Sequence, residues 1–170
     1  STEYLSALGR TFDEVGVGRV ATVCGRYHAM DRDQRWDRTR RAYEAMTRGI
    51  GQRGPDAGVL VEQAYARGVT DEFIEPCVIT DADDEPVGLL RDDDAVVFFN
   101  FRADRARQLT RALALDDFDG FERTAPPSLR VLTLTQYDAA FGLPVAFPPQ
   151  TFSGNLVDVL TVHNRTNLRL

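Results

Sequence analysis

The chain contains no lysine; all 20 of its basic residues are arginine. Genomic composition is the simple origin of such a bias. It nevertheless excludes a Schiff-base amine, and it leaves guanidinium groups as the only basic side chains, histidine apart, that can hold phosphate here. Cysteine is nearly absent: Cys24 and Cys77 stand alone, with neither a CxxC pair nor metal spacing. A disulfide framework is excluded, and the pair reads as reduced, buried thiols, with Cys24 closing an apolar strand pattern. The two histidines, His28 and His163, lack a His, Cys or carboxylate at ligand spacing, so no metal site is expected. No apolar run approaches the ~18 residues of a membrane span. The opening residues STEYLSALGR are amphipathic and lack a signal-peptide core. A membrane partner is therefore not expected, and a cytoplasmic location is. Basic excess is missing too: a net charge of -6 argues against a nucleic-acid binder. No G-x-G-x-x-G or G-x-x-x-x-G-K-[ST] follows any predicted strand, and there is no internal repeat, low-complexity tract or heptad run.

What remains is one domain's worth of soluble composition, 170 residues with 43% hydrophobic and 27% charged side chains. Leu5, Leu8 and Phe12 repeat at helical spacing over Ser1 to Glu14, with Gly16 as the stop. Val20–Cys24 reads as a strand. Asp31 or Asp33 can cap a helix carrying Trp36, Tyr43 and Met46, which Gly49 ends. A short helix is expected over about Ala57 to Arg67, a strand over Cys77–Ile79, and a hairpin-like pairing of Val87–Leu90 beyond the acidic turn Asp81–Glu85. That turn lacks calcium-loop spacing. Val96–Phe99 is the clearest strand, and Phe98, Phe99 and Phe101 at its end read as core. A helix from about Ala103 to Leu113, a strand over Leu129–Leu134, an extended Pro144–Pro149, a helix from Asn155 to His163 and the opening of a strand at Leu168–Leu170 complete the pattern. Strands alternating with helices predict an α/β domain: a mainly parallel sheet flanked by helices, in three layers.

Two arginine-bearing segments carry the chemistry. Gly25-Arg-Tyr-His-Ala-Met-Asp-Arg-Asp-Gln-Arg-Trp36 follows the run Arg19–Cys24, and Asn100-Phe-Arg-Ala-Asp-Arg-Ala-Arg107 follows Asp94–Phe99. In a parallel α/β sheet the crevice at the carboxyl ends of the strands binds ligands. Arg26 and Arg32 leave one such end, Arg102 and Arg105 another, with the latter pair on one face of the helix opening. Together they form a trap for phosphate and carboxylate. The competing reading is a surface loop for Arg26 and Arg32, ion-paired to Asp31 or Asp33, and a solvated helix end for Arg102 and Arg105, paired with Asp104 or Asp92–Asp94. Arg35, Arg38, Arg40 and Arg41 read as a solvated face paired with Asp33 and Asp37.

The first segment resembles the GRYYAMDRDxRW word of the cofactor-independent phosphoglycerate mutases, and the second is similar to that family's NFRPDRAR. Asp71-Glu-Phe-Ile-Glu-Pro76 is similar to its DEFVxP. Val87–Ala95, Phe118–Arg123 and Pro144–Pro149 fall in the family's order, so the resemblance runs from about Thr11 to Leu170. It departs at Cys24, where serine is common, at His28, where tyrosine is common, and at Ala103, where proline is usual. None of these removes an anion ligand.

The resemblance implies an isomerase of glycolysis and gluconeogenesis that interconverts 3-phosphoglycerate and 2-phosphoglycerate through a phosphoserine. It implies that residues 1–170 are a single substrate-binding (transferase) domain, partial and cut at both ends, in a monomeric parent. The serine, two divalent metals (manganese or magnesium) and a phosphate-binding lysine would lie on a phosphatase-like domain in cis, outside this chain. No catalytic residue, metal ligand or cofactor is expected within these residues, and the chain alone is expected to be inactive. Arg26, Arg32, Arg102 and Arg105 are the implied substrate ligands, with Asp31, Asp104 and His28 as candidates for a supporting place behind them. His163, near a helix end, reads as dipole complementation. The alternative is a non-catalytic phosphate- or nucleotide-binding α/β module.

Overall fold

The computed structural model describes residues 1–150 and 153–166; the strand expected at Leu168–Leu170 lies outside them. Helix α1 (Thr2–Val15) ends at Gly16, whose φ of 77° is left-handed, and leads to the short strand β1 (Thr22–Val23). A single turn, α2 (Arg26–Ala29), precedes α3 (Trp36–Arg48), which Gly49 closes at φ 66°. Strand β2 (Gln52–Gly54), helix α4 (Ala57–Ala66) and strand β3 (Cys77–Ile79) follow. The Asp56 side chain accepts from the Val59 amide and caps α4, as its Asp-before-apolar position dictates. Then come β4 (Ala95–Phe98), α5 (Arg107–Ala114), β5 (Arg130–Thr135), β6 (Val145–Phe147) and α6 (Leu156–Val162). Asn155 and Asp158 form a reciprocal capping box on α6, and His163 stands at its C-cap.

The α/β class holds, with the strands in two separate sheets rather than one. The order β1-β3-β2 is mixed, since β1 runs antiparallel to β3 and β2 parallel to it, whereas β4-β5-β6 is parallel throughout. Each sheet has its own core. Leu60, Val61 and Ala64 of α4 pack with Ile74, Cys77 and Ile79. Leu109, Ala112 and Leu113 of α5 pack with Phe98, Val131, Tyr137 and Tyr43 of α3. Val87–Leu90 forms no strand: the pairing past the acidic turn is a single bridge, Thr80 with Pro86. Asp81 instead turns the chain on itself by accepting from the amides of Asp83 and Glu85.

Of the three phenylalanines expected in the core, only Phe98 is buried; Phe99 is 81% and Phe101 77% exposed. Strand alternation sends Val97 and Phe99 to the face opposite Phe98, and no described residue covers that face. Among the described residues, no helix is long and apolar enough to cross a membrane.

Candidate functional site

Gly25 fixes the start of the first arginine segment. Its amide donates to the Ile74 carbonyl at 2.8 Å. A Cβ there would stand 2.4 Å from the Glu72 carbonyl oxygen and 2.7 Å from the Ile74 nitrogen. Only glycine lets the chain lie this close to residues 72–74. Arg26 then meets Glu72, Nη2 to Oε2 at 2.9 Å, and the Tyr27 ring packs on Phe73 at 5.2 Å. The Arg38 guanidinium lies 3.7 Å over the Tyr27 ring, a cation–π contact that ties α3 to the same turn.

Asp31 organises the rest of the segment. Its Oδ2 accepts from the amides of Asp33 (2.9 Å) and Arg35 (3.0 Å) and from Gln108 Nε2 (2.9 Å). Its Oδ1 accepts from Arg35 Nη1 at 3.1 Å and faces Arg38 Nη1 at 3.6 Å. Burial alone would raise the carboxyl's pKa; the hydrogen bonds from Gln108, Arg35 and Asp33 outweigh it and hold the group below its ordinary value. Asp31 thus caps the approach to α3 from five residues ahead of its first residue, Trp36, whereas the residue immediately before the helix is Arg35.

The second segment differs from expectation. Residues 101–106 are a succession of turns, and α5 begins only at Arg107, so Arg102 and Arg105 share no helix face. The Ala103 carbonyl accepts from the amides of Ala106 and Arg107, which turns the chain toward the first segment. Arg105 Nη1 donates to the Met30 carbonyl at 3.1 Å. Arg32 Nη1 meets Asp104 Oδ2 at 3.1 Å, and Arg102 Nε lies 2.9 Å from Asp104 Oδ1. Burial works against the Asp104 charge, but the Arg32 hydrogen bond and the Arg102 charge pull its pKa down.

Arg26, Arg32 and Arg105 line one cleft of about 330 Å³, together with Arg35 and Arg38. Arg102 stands outside its lining, as does Asp104, whose carboxylate joins Arg102 to the cleft residue Arg32. The crevice is not the strand-end crevice of one parallel sheet, because β1 and β4, the strands before the two segments, belong to different sheets. It forms where those two halves meet. Arg35 pairs with Asp33 as expected, yet it and Arg38 line this cleft rather than only a solvated face; Arg40 and Arg41 pair with Glu44 and Glu75. Glu72, Gln108 and the Met30 carbonyl also belong to the arrangement; Met30 and Glu72 lie within the family-like words without being marked as site residues, and Gln108 lies just past one.

His28 is neither a surface residue nor part of the cleft lining. It is 4% exposed beneath Tyr27, with Nδ1 buried and unpartnered. Burial first, and the Arg41 charge next, lower its pKa, so the ring is held neutral. Among the described residues no three His, Cys, Asp or Glu side chains gather as a metal site.

A family model described as BPG-independent PGAM N-terminus matches residues 1–139. The 2,3-bisphosphoglycerate-independent phosphoglycerate mutase of Desulforudis audaxviator is 52% identical over 169 residues, covering 99% of this chain and 33% of that protein. Mutase 1 of Methanosarcina acetivorans is 51% identical over 158 residues, covering 92% of this chain and 31% of the relative. The chain therefore spans about a third of the length of these curated relatives. A crystal structure of Leishmania mexicana phosphoglycerate mutase superposes with a TM-score of 0.82 at 29% identity, over 87% of this chain and 29% of that one. On the family match and these relatives together, the chain belongs to the BPG-independent phosphoglycerate mutase N-terminus family.

Proposed function

We propose that this chain is the substrate-binding part of a cofactor-independent phosphoglycerate mutase, in which Arg26, Arg32, Arg102 and Arg105 hold the carboxylate and phosphate of 3-phosphoglycerate and 2-phosphoglycerate. The observation that carries the reading is the meeting of the two arginine segments at one cleft, through Arg32 with Asp104 and Arg105 with the Met30 carbonyl. A mutase must keep the glycerate bound while its phosphoryl group rests on the enzyme, because escape to water turns the reaction into hydrolysis. Arginine meets that need, since it stays charged, forks onto carboxylate or phosphate, and holds the anion in a fixed place.

The described residues offer no ligand set for a divalent metal, and no step of the chemistry is assigned to them. The nucleophilic serine and two manganese or magnesium ions belong, on this reading, to a phosphatase-like domain of the same protein. That domain is the partner in cis, the protein works as a monomer in the cytoplasm, and neither nucleic acid nor membrane is involved.

The test is interconversion of 3-phosphoglycerate and 2-phosphoglycerate by the natural full-length protein without added 2,3-bisphosphoglycerate. Arg26→Ala and Arg105→Ala are each expected to raise KM by about 10- to 100-fold, the worth of one charge-assisted hydrogen bond. Residues 1–170 alone are expected to give no turnover with either metal. Turnover by the pure 170-residue chain, or unchanged KM in the arginine variants, overturns the reading.

A further inference from the structure

Three polar contacts join the first arginine segment to the second and to the start of α5, and they differ in kind. Arg32 with Asp104 is open to water, the two side chains being 50% and 24% exposed. Arg105 with the Met30 carbonyl is partly buried. The third, Gln108 Nε2 to Asp31 Oδ2 at 2.9 Å, is buried on both sides: Gln108 is 6% and Asp31 5% exposed. Asp31 is the residue before Arg32, and Gln108 lies three positions past Arg105, at the start of α5. An exposed ion pair yields to salt or to an incoming anion. A shielded amide on a carboxylate persists, because breaking it strands a buried charge.

We propose that Gln108 is a positioning residue of the anion cleft: its bond to Asp31 sets where Arg32 stands relative to Arg105 and, through Asp104, to Arg102. The inference rests on the reading of these arginines as substrate ligands. A neutral donor is what the place requires. Asp31 already faces Arg35 and Arg38, so a further cation there would compete for its oxygens, and an apolar side chain would leave Oδ2 without its donor from α5. Arg32 and Arg105 themselves keep their guanidinium groups at the cleft. When the exposed Asp104 contact is given up to a ligand, the Asp31 bond still holds the segments in register.

The experiment measures 3-phosphoglycerate turnover by the natural full-length protein. Gln108→Met keeps volume and removes the donor; it is expected to raise KM about tenfold with kcat within about twofold of the parent. Gln108→Glu places a second carboxyl against Asp31. Its KM is expected to be raised at about pH 8 and to recover toward about pH 6, where the protonated group donates as the amide did. Leu109→Ala, on the same helix but in the core, is expected to lower Tm more than Gln108→Met does and to leave KM unchanged. Parental KM in both Gln108 variants, while Arg105→Ala raises it, overturns the proposal and leaves the site reading intact. Equal KM loss in Leu109→Ala reduces Gln108 to a structural residue and also overturns it. Unchanged KM in Arg105→Ala, or no mutase activity at all, removes the site reading and the proposal with it. Should Gln108→Met fail to fold, the pH response of Gln108→Glu decides.

Discussion

Arg32 Nη1 stands 3.1 Å from Asp104 Oδ2, across 72 residues of sequence. The same carboxylate faces Arg102 Nε at 2.9 Å through Oδ1, an electrostatic contact without hydrogen-bond alignment. One acid therefore orients one guanidinium from each segment. Asp104→Asn keeps the shape and removes the charge that an entering anion has to displace from Arg32 and Arg102. The KM for 3-phosphoglycerate in the full-length protein should fall, by up to about tenfold. Both arginines are half or more exposed, so the Tm of the same variant should shift little.

Gly25 is a steric requirement of the site. Gly25→Ala forces a methyl group against the backbone of Glu72 and Ile74 and should cost about 1–3 kcal/mol in chemical denaturation. It should also weaken anion binding, because the strain falls on the residue before Arg26. Gly9→Ala is the control: a Cβ at this position in α1 meets nothing within 4 Å, and the change should stabilise by about 0.5–1 kcal/mol.

Acid should destabilise the fold in two windows. The His28 pKa lies below 6.5 in the folded chain, so its neutral form is favoured there. The stability this represents is complete above 6.5 and is lost as pH falls through the folded value. The Asp31 carboxyl lies below 3.8, so its contribution is complete above 3.8 and is lost as pH falls further. Thermal unfolding across pH should show the first loss vanish in His28→Phe and the second in Asp31→Asn. At neutral pH Asp31→Asn should cost about 2–3 kcal/mol, because hydrogen bonds to a charged, buried group are lost.

Both thiols should be inert in the folded chain. Burial above all pushes the Cys24 pKa up to about 12, against a lowering contact with the Ala29 backbone, and burial also raises Cys77. Since the thiolate is the reactive form, labelling by an aromatic disulfide at about pH 8 should run at least about 100-fold slower than for a free cysteine. In denaturant both thiols should react at the ordinary rate.

Elements bounded by local chemistry were legible from the chain alone. Asp56 and Gly68 bracket α4, and the continuous apolar run Cys77–Ile79 is buried at every position. The start of α5 was not legible, because helical spacing continues back to Ala103. There the Asp104 and Arg105 side chains are engaged with Arg32 and the Met30 carbonyl, and the chain turns to reach them. The outward direction of Phe99 and Phe101 was hidden for a related reason: an apolar strand end reads alike whether one face is covered or two. Among the site residues, the four arginines were marked by their words. Glu72 stands in the Asp71–Pro76 word, but its contact with Arg26 spans 46 residues and was not marked there; Gln108, whose contact spans 77, lies just past the second word and has no signal of its own.

Every one of the four arginines already has an oxygen at hand: Glu72 for Arg26, Asp104 for Arg32 and Arg102, and the Met30 carbonyl for Arg105. An anion that enters this cleft trades places with oxygens already there; of the four arginines only Arg105, held by a neutral carbonyl, gains an ion pair. Charge alone is thus a poor credential for admission. A spherical ion such as chloride gains almost nothing over a fitted carboxylate. A two-headed anion that spans both segments displaces several resident oxygens at once, so recognition here is a matter of reach and shape.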